Sequence, residues 1–327
     1  MKAVRLDEFG GPEVLQLSEI DEPRPEPGEI LIDLVAAGVN RADILLRKGA
    51  YHVATLPAIP GWEGSGTVAA VGEGVRRFRV GDRVVAFGGR LGFYAERAAV
   101  PEAQAAKIPE GISFEDAASI PVVWLTAWYS LVHLAKVKER ETVLVTAAAS
   151  GVGQAAIQIA KHFGARVIAA AGGPEKLAWA KELGADDSID YLMPDWEREV
   201  LSKTDGKGVE VVIEAVGGRV FAAALKALGY AGRLVAFANV NLEDSTINTR
   251  NFYPKNAVIY GFQIAFRIER QGYRPTEDLE DILRLVATGK FRTNVDKVFS
   301  LAEAPAAHRY LEERKNRGKV VLRIKNR

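Results

Sequence analysis

The chain has 327 residues, room for two cores at roughly 100 to 200 residues per domain. With 48% apolar and 26% charged residues it is expected to be a soluble globular protein, and 43 Lys and Arg against 42 Asp and Glu leave a net charge of +1, so bulk charge recruits neither nucleic acid nor an anionic membrane. Cysteine is absent, which excludes disulfides, thiolate catalysis and every Cys-ligated zinc site. The basic stretch 314–327 is read as a solvated helix end and strand edge. The first residues lack a signal peptide's apolar core and no apolar run is long enough for a bilayer, so a cytoplasmic location without membrane insertion is expected.

The first third reads as β structure. Residues 14–20 and 29–35 are short runs rich in Leu, Ile and Val, separated by the turn-forming PRPEPG. Residues 67–71, GDRVVAF and FYAERAAV supply further strands, with Gly-rich turns at a spacing that suits a small irregular barrel. After Pro121 the pattern changes. Residues 141–146 form an apolar β run, followed by AAASGVG and an amphipathic helix with Val152, Ala155, Ala156, Ile159, Ala160 and Phe163 on one face and Gly164 at its C-terminal end. Strands follow at ARVIAAA and at 188–191, 209–215, 233–238 and 257–260, with helical patterns between them, including 174–183. Six apolar strands alternating with helices predict a parallel, doubly wound sheet. Beyond it come a helix over 276–288, a strand over 295–299, a helix over 302–315 with Ser300 and Glu303 spaced as a capping box, and a closing strand over 318–324.

The loop 147–153 lies between a strand and a helix, where a dinucleotide's pyrophosphate binds to backbone N–H groups and the helix dipole. Ala148 and Ser150 replace the first two glycines of the usual fingerprint, while Gly151, Val152 and Gly153 keep the loop small. The second strand of the unit runs out as Ala170-Ala171-Gly172-Gly173, without the carboxylate that holds adenosine ribose hydroxyls in NAD-specific sites. Its absence opens the site to NADP(H), and Lys176 is either a compensating cation for the 2′-phosphate or a solvated surface lysine.

The segments VNRADILLRKGAY, IPGWEGSGTVAAVG, GDRV, FYAERAAV, SIPVVWLTAWYSL, VTAAASGVGQAAIQIAKHFGARVI, EAVGG and GKVVLRI, in this order along nearly the whole chain, resemble the medium-chain dehydrogenase/reductase family. The resemblance is to its zinc-free quinone oxidoreductase branch, which includes zeta-crystallin. It implies an α/β fold: a GroES-like β-rich catalytic domain (1–122), a Rossmann NADP-binding domain with a six-stranded parallel sheet (123–263), and a C-terminal return to the catalytic domain (264–327). Asn40 stands where zinc-dependent relatives have their first cysteine ligand, and Trp62 where they have histidine.

By the same resemblance Asn40 and Thr126 reach the nicotinamide half of the cofactor, and Asp43 and Tyr51 border the substrate. Lys176, Tyr191 and Arg314 approach the 2′-phosphate, Gly217, Phe237 and Ala238 pass beneath the cofactor, and Phe262 lies near the nicotinamide. Ser150, Gly151, Val152, Gly153 and Gly172 complete the cofactor set. Each has a plainer reading. Asn40 closes a turn after Gly38, Asp43 is the N-cap of the helix DILLRK, and Tyr51 packs in the core. The four histidines sit in no ligand spacing. Leu45 stands where many quinone reductases carry tyrosine.

The expected activity is hydride transfer from NADPH to a quinone-like acceptor without zinc. The alternatives are reduction of an activated C=C bond, as in an enone or enoyl thioester, and non-catalytic NADPH binding. The expected partners are the small-molecule acceptor and, by family likeness, further copies of the chain in a homodimer or homotetramer.

Overall fold

A computed structural model describes residues 1–50, 55–88 and 91–325, in two compact units. The first comprises Met1–Leu125 together with Ala265–Arg327, and the second is Thr126–Ile264.

The strands of the first unit before the second begins are β1 (Lys2–Leu6), β2 (Leu15–Glu19), β3 (Glu29–Val39), β4 (Glu63–Val71), β5 (Arg83–Phe87), β6 (Arg97–Pro101) and β7 (Ala105–Lys107). Helix α1 (Arg41–Arg47) follows β3, and α2 (Phe114–Ala118) and α3 (Pro121–Trp128) follow β7. β1 and β2 form an antiparallel pair. β3 is the spine of the larger sheet: it pairs antiparallel with β4 and with β6, and β4 continues through β5 to β7. Its apolar run EILIDLVAAGV is buried along almost its whole length, as a strand covered on both faces requires.

The second unit holds β8 (Thr142–Val145), α4 (Gly151–His162), β9 (Arg166–Ala171), α5 (Pro174–Glu182), β10 (Asp187–Asp190), α6 (Trp196–Lys203), β11 (Val209–Glu214), α7 (Gly218–Ala227), β12 (Leu228–Ala236) and β13 (Val258–Gly261). All neighbouring strands are parallel, in the order β10-β9-β8-β11-β12-β13. Counted from β8, this is the doubly wound order 3-2-1-4-5-6, whose topological switch point lies between β8 and β11. Val143, Leu144, Val145, Val167, Ile168, Val211, Val212 and Leu234 are fully buried in its core.

After α8 (Ile264–Gln271) the chain completes the first unit with α9 (Thr276–Ala287), β14 (Val295–Ser300), α10 (Ala304–Glu312) and β15 (Lys319–Arg323). β15 pairs antiparallel with β3, with Val320 opposite Val39, and β14 runs parallel to β15. Among the described residues no helix is long and apolar enough to cross a membrane.

The strands depart from the sequence pattern where glycine weakens it. β4 begins at Glu63, four residues before the expected 67–71, because Gly64, Ser65 and Gly66 have low strand propensity but are paired on both sides by β3 and β5. β12 begins at Leu228 rather than at 233, and the added segment carries Gly229 and Gly232. β1 was not expected, and it stands by pairing with β2. FYAERAAV yields a strand only from Arg97, and Ala95 forms a single bridge to Ala3.

Candidate active site

The register of the first unit's sheet assembles a buried polar centre. Val320 opposite Val39 brings Lys319 beside Asn40, and Ala37 opposite Gly64 brings Glu63 beside Gly38. Gly38 leaves space for that carboxylate: a Cβ there would lie 2.2 Å from Glu63 Oε1 and 2.7 Å from the Ala118 carbonyl oxygen. Asn40 Nδ2 donates to Glu63 Oε1 at 2.8 Å, the Val122 N–H donates to Glu63 Oε2 at 2.6 Å, and Lys319 Nζ donates to both Asn40 Oδ1 and Glu63 Oε1. Asn40, Glu63 and Lys319 are all buried.

Asn40, in extended conformation, is the N-cap of α1. This corrects the reading of Asp43 as the cap. Asp43 is the third helical residue and its Oδ2 accepts from the Asn40 N–H at 2.8 Å, closing the first turn from inside. Asp43 Oδ1 accepts from the Gly61 N–H at 3.2 Å. Burial pushes the Asp43 carboxyl up to about 7, against the Asn40 N–H and the nearby Lys319 charge, which both favour the carboxylate.

A hydrogen-bonded chain leads from Asp43 toward the surface. The Tyr94 hydroxyl bonds to Asp43, and burial together with that carboxylate raises the phenol well above its ordinary range. Tyr94 Oη lies 3.2 Å from His308 Nε2, His308 Nδ1 lies 3.4 Å from Arg47 Nη1, and Arg47 Nη2 donates to Glu312 at 2.9 Å. Arginine only donates, so His308 Nδ1 accepts, Nε2–H donates to Tyr94, and the Tyr94 hydroxyl donates to Asp43. Burial and the Arg47 charge hold the imidazole down at about 3, so it is neutral. His308 is therefore a satisfied core histidine.

In the second unit, the residues that the resemblance assigns to the pyrophosphate stand at the switch point. Ser150 is the N-cap of α4, and its Oγ accepts from the Gly153 N–H at 3.1 Å. Gly151 and Val152 sit in the first turn, where the helix offers no carbonyl to their N–H groups. A Cβ on Gly153 would come within 2.5 Å of the Ala147 carbonyl oxygen, so α4 can pack this close only through glycine. Across the switch point, buried Glu214 accepts from the Val216 and Gly217 N–H groups at 2.8 and 3.1 Å, and Thr146 Oγ1 accepts from the Ala215 N–H at 3.1 Å. Burial still raises the Glu214 carboxyl. Gly217 has φ +81, and a Cβ there would strike Asn239 at 2.1 Å, so the loops after β11 and β12 interlock beside Phe237 and Ala238. Phe262 stacks on Tyr129 at 4.9 Å with 9° between the rings, and Thr126, also buried, receives the Ser130 hydroxyl on its carbonyl oxygen.

β9 ends at Ala171, and Gly172 and Gly173 lead to Lys176, half-buried in the first turn of α5. Tyr191 follows β10 and its N–H donates to the Ala171 carbonyl, which joins these two strand ends. Asp190 is the carboxylate at this corner, with oxygens accepting from the Gly173 and Leu192 N–H groups at 3.3 and 2.9 Å. Arg314 belongs to the first unit, where its charge and, more strongly, burial lower Arg41 from its ordinary range. Tyr51 lies outside the described residues. Lys319 escaped the sequence reading; the available signal was a lysine opening an otherwise apolar closing strand.

Residues 26–110 match the family described as alcohol dehydrogenase GroES-like domain, and residues 151–288 the one described as zinc-binding dehydrogenase. Together they define a two-domain dehydrogenase class. A quinone oxidoreductase of Pseudomonas aeruginosa is 35% identical over 326 residues, 98% of this chain and 99% of the relative. The Escherichia coli quinone oxidoreductase complexed with NADPH matches with a TM-score of 0.90 at 32% identity, covering 99% of this chain and 100% of that one. An NAD-dependent alcohol dehydrogenase structure matches equally, with a TM-score of 0.90 at 38% identity over 99% of this chain and 100% of that one. The chain belongs to the medium-chain dehydrogenase/reductase family, in its quinone oxidoreductase branch. It is an oxidoreductase that uses a nicotinamide dinucleotide.

The zinc in the second family's description finds no fit at Asn40 and Trp62, the positions where the resemblance to zinc-dependent relatives puts ligands. Asn40 offers an amide already bonded on both sides, and the Trp62 indole N–H is a donor with no lone pair for a metal. Lys319 already supplies a cation to Glu63. Among the described residues no group of three or more His, Cys, Asp or Glu could hold a metal ion.

Proposed function

We propose that the protein reduces a quinone-like acceptor by hydride transfer from NADPH, without zinc. The observation that carries this reading is the Asn40–Glu63–Lys319 centre, in which Asn40, at a position where the resemblance puts a zinc ligand, is an amide bonded to an internal ion pair. A quinone suits such a centre: its reduced oxygen is a stabilised oxyanion that takes a proton from solvent and needs hydrogen-bond donors rather than a strong acid. Bound NADPH would supply the hydride from C4 of its nicotinamide.

Asn40 and Asp43, with Tyr51, are assigned to the acceptor and the nicotinamide. Thr126, Ser150, Gly151, Val152, Gly153, Gly172, Gly217, Phe237, Ala238 and Phe262 are assigned to the cofactor's length. Lys176, Tyr191 and Arg314 are assigned to the 2′-phosphate, where the carboxylate-free end of β9 supports NADPH over NADH. The Asp190 carboxylate at the same corner accepts from the Gly173 and Leu192 N–H groups, so its oxygens are occupied within the protein. The family likeness supports a division at 1–122, 123–263 and 264–327, a homodimer or homotetramer, and a cytoplasmic location.

Reduction of an activated C=C bond is the second reading. It is favoured by Asp43, whose carboxyl, pushed up to about 7, is poised near neutral pH to give or take a proton. Steady-state oxidation of NADPH and of NADH against quinones, enones, enoyl thioesters and aldehydes separates the two. The proposal expects quinones to be reduced fastest, with NADPH preferred at least about tenfold in kcat/KM, the worth of one charge-assisted phosphate contact. Enones or enoyl thioesters turned over far faster than any quinone would replace it by the second reading, and equal use of NADH would remove the NADPH assignment.

A further inference from the structure

We infer that Lys319 is a positioning residue for the reaction: an internal ammonium that brings a fixed positive charge to Asn40, where the resemblance puts a zinc ligand, and makes Asn40 a one-way hydrogen-bond donor. The inference rests on the placing of Asn40 at the cofactor and acceptor in the proposed function.

Side-chain chemistry dictates which way the Asn40 amide faces. Lys319 carries only donors, so the Asn40 atom facing it is the carbonyl oxygen. The Glu63 carboxylate only accepts, so the atom facing it is the amide nitrogen. The two ends are locked by opposite charges, and those charges hold each other through the Lys319–Glu63 ion pair. Glu63 is fixed in turn by the Val122 N–H and by the space over Gly38. A flipped amide would set N–H against ammonium and carbonyl against carboxylate. Among the described residues the second Nδ2 hydrogen has no partner, so a ligand that meets Asn40 there meets a donor. That donor fits an oxygen acceptor: a carboxamide carbonyl or the oxygen of a quinone.

The ion pair also sets the charge of the centre. Lys319 and Glu63 cancel, so the ion pair adds no net negative charge against a developing oxyanion. The role resembles that of a metal in one respect only: a fixed positive charge organises the surrounding groups. Lys319 needs no second ligand shell, because the strand pairing of β15 with β3 delivers it.

The test is a double-mutant cycle on Lys319→Met and Glu63→Gln. Activity is read with whichever acceptor the wild type reduces fastest, so that failure of the quinone assignment leaves the test intact. Lys319→Met strands the Glu63 carboxylate in the interior and is expected to lower Tm by about 5–10 °C. The double variant removes both charges and should recover most of that Tm. The side-chain amide introduced by Glu63→Gln can present either end to Asn40, so the orientation is no longer dictated and kcat should stay down by about tenfold or more. The KM for the nicotinamide cofactor should change by less than about threefold, since the pyrophosphate and phosphate contacts are untouched. A purely structural ion pair would restore kcat together with Tm. A double variant with wild-type kcat therefore overturns the inference, as does a Lys319→Met variant whose kcat is unchanged.

Discussion

Tyr94→Phe tests the polarised chain from Arg47 to Asp43 through its pH dependence. The substitution deletes one hydroxyl that accepts from His308 and donates to Asp43. Burial raises Asp43 from its ordinary 3.8 to about 7 in the folded protein. Between those values the folded state holds a proton that the unfolded chain has released, so stability falls as pH rises through that window. At about 1.4 kcal/mol per pH unit, the fall amounts to about 4 kcal/mol. The Tyr94 hydroxyl opposes it, because a hydrogen bond to a carboxylate is worth about 1.5–3 kcal/mol and one to a neutral carboxyl about 0.5–1.5 kcal/mol. Tyr94→Phe should therefore cost about 1–2 kcal/mol more at pH 9, where Asp43 is ionised, than at pH 5, where it is protonated. The partner lost by His308 contributes equally at both values, since that imidazole, held at about 3, stays neutral throughout. Thermal unfolding of wild type and variant at the two pH values should show the Tm gap widening by about 2–6 °C at the higher pH. An equal gap at pH 5 and pH 9 would refute the reasoning, because Asp43 would not then change its protonation between them.

Gly38→Ala puts a methyl group 2.2 Å from Glu63 Oε1, and this carboxylate cannot leave without stranding Lys319. A loss of about 2–5 kcal/mol is expected in chemical denaturation, and unchanged stability would show that the polar centre yields. Lys176→Ala should raise the KM for NADPH about tenfold and leave that for NADH nearly unchanged. Equal effects on both cofactors in steady-state kinetics would remove Lys176 from the 2′-phosphate.

The doubly wound sheet was legible in the sequence because its signals are local. Apolar runs such as TVLV and VEVVIE are buried on both faces and so need no partner to be recognised, and Ser150 and Gly153 act within one turn of each other. The capping box of Ser300 and Glu303 was equally local, with the Ser300 N–H donating to Glu303 at 2.8 Å, although it caps the 3-10 turn Leu301–Glu303 that leads into α10 and not α10 itself. The family likeness carried what periodicity could not, including the positions of Asn40 and Trp62. Long-range pairing decided the rest. Lys319 lies 279 residues from Asn40 and 256 from Glu63, and only the antiparallel register of β15 on β3 joins them. Asp43 looked like a helix cap from its neighbours alone. Its contact with the Gly61 N–H, 18 residues away, and with Tyr94 turned it into the end of a buried hydrogen-bonded chain. A buried charge depends on partners that strand register and helix packing bring from distant parts of the chain, and no sequence window contains them.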